Sequence, residues 1–143
     1  MTTKKKTKPP NKTDPHELKL TKEKGKSEER KLAEVQLSPT ILNAITTQSF
    51  LKTFAGDIDL TEAVTVMQEK SDKIIAGDLS ELESTLTAQV VSLNAIFSTL
   101  ARRSASNEYV SQMEINMRLA LKAQTQCART IEVLSTLKNP PVI

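Results

Sequence analysis

The sequence predicts an all-α protein with about four antiparallel helices in a bundle, a long C-terminal helical hairpin and a preceding disordered basic tail. Glycine occurs only three times in 143 residues, and few turn signals interrupt the chain after Leu37. Apolar residues there recur at steps of three and four. Residues 1–36 hold 11 Lys/Arg against 6 Asp/Glu, whereas residues 37–143 hold 9 against 11. We therefore expect a disordered tail at 1–36 and one helical domain at 37–143.

The tail is predicted from its composition. Residues 1 to about 27 are rich in Lys, Thr, Pro and Glu, and Leu18 and Leu20 are their only apolar residues after Met1. Such a segment buries too little surface to offset the entropy lost on ordering. Leu32 and Val35 give only a weak helical signal between residues 28 and 37.

The first two predicted helices have clear boundaries. Ser38 suits the N-cap of the first helix, which we expect to stop near Gly56, and Pro39 suits its first turn. Asp59 opens the second helix as a cap, with Glu three positions later as in a capping box. Gly77 is expected to end it.

The third and fourth helices form the predicted hairpin. The third opens at residues 78–81 and carries an apolar stripe of Leu82, Leu86, Val90, Leu93, Phe97 and Leu100. The fourth runs from about residue 108 to 138, where Asn-Pro-Pro stops it. Its predicted core stripe is Val110, Met113, Met117, Ala120, Leu121, Cys127, Ile131 and Leu134. A second apolar line, Ile115, Leu119, Val133 and Leu137, implies contacts on two sides of this helix.

Residues that could carry chemistry are few. His16 is the only histidine and lies in the polar tail, so we expect it to be solvated. Cys127 falls on the apolar stripe and is expected to be a buried, structural thiol. Asp57 and Asp59 lack the further oxygen ligands and the glycine of a calcium loop, and no phosphate-binding glycine motif occurs. The sequence predicts no enzyme, catalytic residue, metal site, cofactor or small-molecule ligand.

Two sets of residues are candidates for contact with macromolecules. The second apolar line, Ile115, Leu119, Val133 and Leu137, predicts a protein interface and, in the simplest case, a homodimer. The predicted basic contacts are Lys4, Lys5, Lys6, Lys8, Arg102, Arg103, Arg118, Lys122 and Arg129. They suit non-specific phosphate contacts, but nucleic-acid binding is weakly supported because the tail lacks aromatic residues and holds one arginine.

The setting of the protein follows from absences in the sequence. No apolar run approaches the roughly 20 residues that span a bilayer, and no apolar segment follows the N-terminal lysines. A single cysteine suits a reducing compartment. We therefore expect a cytoplasmic protein that does not contact membranes.

The run "RLALKAQTQCARTIEVLSTLKNPP" resembles the C-terminal region of a group of small uncharacterised helical proteins encoded in bacterial prophages and mobile elements. The likeness extends back through "SLNAIFSTLARRS" and covers about the last third of the chain. It implies a bacterial or phage origin and supplies no functional residues. Together these observations predict a non-catalytic helical interaction or assembly protein. The alternative is a DNA-associated accessory protein, a packaging or replication helper, that uses its basic tail.

Overall fold

The structure is a computed structural model, and it describes residues 13–21 and 23–140. All regular structure in these ranges is helical. The helices are α1 (Glu28–Leu37), α2 (Pro39–Ala55), α3 (Leu60–Ile75), α4 (Ser80–Ala105) and α5 (Val110–Lys138). The predicted all-α class and the long C-terminal hairpin are confirmed. Within the described ranges no helix is long and apolar enough to cross a membrane.

The helices belong to two compact units, whereas the sequence predicted one domain over residues 37–143. The first unit ends at Ala76 and contains α1, α2 and α3. In it α1 packs on α2, and α2 packs on α3. The second unit begins at Gly77 and consists of α4 packed along α5.

The predicted helix boundaries are confirmed at the caps. The Ser38 side chain accepts from the backbone N–H of Ile41, and the Asp59 carboxylate accepts from the backbone N–H of Glu62. Gly56 and Gly77, which follow α2 and α3, have φ of 75° and 87°. These left-handed conformations strain any residue with a Cβ, so glycine ends both helices.

The structure differs from the predicted tail over residues that lie before Leu37. Residues 1–12, with the predicted contacts Lys4, Lys5, Lys6 and Lys8, lie outside the described ranges. Residues 13–21, which we call the N-terminal strap, are tied to α3. The Pro15 carbonyl accepts from the Leu60 backbone N–H at 2.9 Å, and the Thr61 hydroxyl accepts from the Lys19 backbone N–H at 3.0 Å. Polar contacts thus order a segment that its low apolar content predicted to be disordered.

Helix α1 also lies within the predicted tail, and no residue in it is buried. Its order comes from local interactions that a count of apolar residues ignores. The Ser27 side chain caps it, and Glu34 receives hydrogen bonds from Arg30 at 2.8 Å and Lys26 at 3.0 Å. Those bonds, the larger from Arg30, lower the pKa of Glu34. Hydrogen bonds to Glu23 and Glu34 raise the pKa of Lys26.

The α4–α5 hairpin has a seam with a strict three-and-four spacing. On the α4 side the buried and half-buried positions are Glu83, Leu86, Val90, Leu93, Phe97, Leu100 and Ser104. On α5 they are Asn116, Ala120, Ala123, Cys127, Thr130, Leu134 and Leu137. Steps of three and four residues are the coiled-coil repeat, so the two helices pack side by side along their length.

Large side chains of α4 face small side chains of α5 in this seam. Ala120 is 0% exposed and Ala123 is 7% exposed. The Ser104 hydroxyl donates to the Met113 carbonyl at 2.8 Å, which joins the two helices near their connecting turn. At the other end Lys138 pairs with Glu83 at 2.6 Å. The antiparallel register is therefore defined at both ends.

The predicted core stripe of α5 was wrong for most of its members. Ala120, Cys127 and Leu134 do face the seam. The others, Val110, Met113, Met117, Leu121 and Ile131, are exposed. Small residues at seam spacing allow close approach of the helices, and this packing outweighs the greater apolar area of the residues on the flank.

Candidate interaction surfaces on the C-terminal hairpin

One flank of α5 carries a continuous apolar line, which we call the methionine stripe. Its members are Val110, Met113, Met117, Leu121, Gln124, Ala128 and Ile131, all of them exposed. They follow one another at steps of three or four and therefore share one face of the helix. Val110 is 76% exposed and Leu121 is 50% exposed. An apolar line of this length in contact with water is typical of a protein-binding surface.

A surface depression lies at the N-terminal half of this stripe. Its apolar lining is Val110, Met113, Met117 and Leu121, and Ser104 of α4 lines it as well. Glu114 and Arg118 lie at its edge and pair with each other. Methionine side chains are flexible and polarisable, so such a depression adapts to an apolar partner surface.

The sequence-predicted patch lies on the opposite flank of α5. Ile115 is 55% exposed, Leu119 is 48% exposed and Val133 is also exposed. Leu137 is half-buried. The structure therefore places three of the four residues at the surface, but it divides them. Leu119 and Val133 are fourteen residues apart, and the exposed Lys122 and Gln126 lie between them on that flank.

The predicted basic contacts within the second unit are all exposed. Arg118 pairs with Glu114 four residues earlier, and Arg129 pairs with Glu132 at 3.0 Å. Because each arginine already has a carboxylate partner on its own helix, the face that they share has little excess positive charge. Arg102 and Arg103 lie in the last turn of α4, where a positive charge favourably meets the helix dipole.

His16 is held in place by two neighbours in the first unit, although the sequence predicted a solvated side chain. Its Nδ1 lies 2.9 Å from Gln48 Oε1, and its Nε2 lies 3.6 Å from an Asp57 carboxylate oxygen. The Lys52 ammonium also lies 3.6 Å from that oxygen. The imidazole and the carboxylate remain about half exposed. This arrangement ties the N-terminal strap to the first unit.

Gln48 organises the contacts of the strap. It is 5% exposed, and its Nε2 donates to the Pro15 carbonyl at 2.8 Å and to the Ile58 carbonyl at 2.6 Å. Both partners can only accept, so the amide nitrogen must face them and the amide oxygen must face His16. His16 Nδ1 therefore carries the proton that Gln48 Oε1 accepts.

Cys127 is half-buried in the hairpin seam rather than fully buried as predicted. Its thiol donates to the Val90 carbonyl of α4, with the sulfur 3.7 Å from the oxygen. Within the described ranges no group of His, Cys, Asp or Glu side chains is arranged to hold a metal ion.

Sequence reasoning missed two features. The methionine stripe was visible in the sequence but was assigned to the core, because its residues are larger than those of the true seam. The strict spacing of Ala120, Ala123 and Cys127 is the signal that separates the seam from the stripe. The role of Gln48 had no local signal, since its partner Pro15 lies 33 residues away.

Comparisons with known proteins add no family to these observations. No protein-family model matches the chain, and neither the curated proteins nor the solved structures contain a match. The resemblance to prophage-encoded proteins therefore stays a prediction, and the surfaces of the hairpin are the basis of the functional argument.

Proposed function

We propose that the protein is a non-catalytic helical assembly protein of the cytoplasm that acts through protein–protein contacts along α4 and α5. The observation that carries this proposal is the outward apolar surface of α5. Met113, Met117 and Leu119 are all more than a third exposed, although each is large and apolar. Soluble proteins rarely leave so long an apolar line in water unless a partner covers it.

The simplest partner is a second copy of the chain. Most soluble oligomers pair identical subunits about a two-fold axis, which buries the same surface on both copies. A hairpin suits this arrangement because two hairpins side by side make a four-helix bundle with one shared core. Self-association would also explain why α5 has large apolar residues outside its seam with α4.

Sedimentation equilibrium of the full chain at tens of micromolar tests this proposal. We expect a mass of two chains, each of 15.8 kDa, at neutral pH. Moderate salt should leave the mass unchanged, because burial of apolar surface is not screened by ions. A one-chain mass across the whole concentration range contradicts the proposed homodimer.

The alternative, a DNA-associated accessory protein, is tested by a gel shift with duplex DNA at low and high salt. Contacts between lysines and phosphates weaken steeply as salt rises. The carboxylate partners of Arg118 and Arg129 favour the protein–protein proposal, since those guanidinium groups are already hydrogen-bonded. A retarded complex that persists only at low salt, together with a monomeric chain, would favour the alternative.

A further inference from the structure

The two apolar flanks of α5 differ in continuity. The methionine stripe extends from Val110 to Ile131 with Gln124 as its only polar member, a length of roughly 32 Å at 1.5 Å per residue. On the other flank, Lys122 and Arg129 follow Ile115 by seven and fourteen residues and thus share its face. Close packing there would take both cations out of water or hold them against the partner's side chains, which costs free energy.

Charge separates the two flanks further. In a two-fold antiparallel pairing centred on the patch, Lys122 of one copy would face the partner's Arg129, and like charges in contact disfavour association. Beside the methionine stripe, Glu114 and Arg118 neutralise each other. An uncharged apolar surface attracts neither a polyanion nor a strongly charged protein, and it does not repel its own copy. A second copy of this chain is therefore the partner that fits the stripe.

The stripe is also complementary to itself when two copies run antiparallel about Leu121. Val110 at one end would then lie opposite the partner's Ile131, and both residues are branched and apolar. Met113 would lie opposite the partner's Ala128, which places a long side chain against a small one. Such large-to-small pairing fills space without overpacking, and Leu121 would contact its own equivalent at the axis.

We propose that the methionine stripe is the self-association surface and that two copies pack antiparallel along it with Leu121 at the two-fold axis. This inference rests on the proposed function, since it specifies which face of α5 the homodimer uses. It assigns the flank that contains Leu119 to the outside of the dimer.

Two variants on opposite flanks of the same helix test the inference. Met117→Glu places a carboxylate within the stripe, and Leu119→Glu makes a matched change of charge on the other flank. Sedimentation equilibrium of the full-length chains is expected to give a one-chain mass for Met117→Glu and a two-chain mass for Leu119→Glu. Circular dichroism should show the same helix content in both variants.

A cross-linking experiment covers the case in which Met117→Glu fails to fold. In a Cys127→Ala background, Leu121→Cys is expected to form an intermolecular disulfide under mild oxidation, because a residue at the axis lies next to its own equivalent. Leu119→Cys in the same background should remain a monomer on a non-reducing gel.

The outcomes separate the inference from the proposed function. A dimer that survives Met117→Glu but is lost in Leu119→Glu overturns the inference, keeps the proposed function and assigns the interface to the Ile115 patch. A dimer that survives both changes, without cross-linking at position 121, also rejects the stripe. A wild-type chain that is monomeric overturns the homodimer and the inference together.

Discussion

Ala120→Leu is expected to lower the free energy of unfolding by about 1–3 kcal/mol, the usual cost of forcing extra methylene groups into a packed core. Ala120 is completely buried in the seam, where the large side chains of α4 leave room only for a methyl group. In a unit of this size, each kcal/mol lowers the melting temperature by about 4–8 °C. Thermal unfolding followed by circular dichroism measures the change.

Ala88→Leu is the matched control for this experiment. Ala88 lies in the middle of α4, is exposed and points away from the seam. The same substitution there changes helix propensity by the same small amount and meets no packed neighbour. We expect its melting temperature to stay within about 2 °C of the wild type, as for a surface change below about 0.5 kcal/mol. Equal effects at the two positions would show that the seam is loosely packed.

The seam also shows how far the sequence could predict this fold. Boundary residues act through local hydrogen bonds, and Ser38 and Asp59 were predicted correctly as caps because each needs only the next few residues. The rotation of α5 about its axis is different. It depends on which of three neighbouring faces packs best against α4, and the apolar area of a face does not measure the depth of the groove it must fill.

Order in the segment before Leu37 was missed for another reason. Composition predicts disorder when apolar burial is the only source of stability considered. Here, α1 is held by a serine cap and short-range ion pairs, and the strap is held by contacts to residues more than 30 positions away. Hydrogen bonds between residues so distant in sequence leave no periodic pattern, so the sequence alone could not place His16 beside Gln48.

The candidate interaction surface was therefore half predictable. The sequence indicated correctly that α5 has more apolar surface than one neighbour can cover. It placed the surplus at Ile115, Leu119, Val133 and Leu137, whereas the structure exposes the longer line of Val110, Met113, Met117, Leu121 and Ile131 as well. A small-residue seam and a large-residue flank on one helix are together the pattern of a hairpin with a further helical partner.

The strap offers the second large effect, through Gln48→Leu. This change keeps a side chain of similar volume but removes the two donors that serve the Pro15 and Ile58 carbonyls. Carbonyl groups left without a donor in a half-buried setting cost about 1–3 kcal/mol. We expect the strap to detach from α3 more often, while the α4–α5 hairpin keeps its stability.

Hydrogen exchange at the Leu60 amide provides a direct readout of strap detachment. Leu60 is the first residue of α3, so its N–H has no partner within the helix and is bonded to the Pro15 carbonyl. In Gln48→Leu this amide should exchange about tenfold faster or more, since each 1.4 kcal/mol of local stability corresponds to a tenfold change in the open population. Gln36→Leu, at an exposed position of α1, is the control and should leave exchange at Leu60 unchanged. Equal protection of Leu60 in Gln48→Leu and in the wild type would mean that Gln48 does not hold the strap, and that the bonds from Leu60 and from Lys19 hold it without the glutamine.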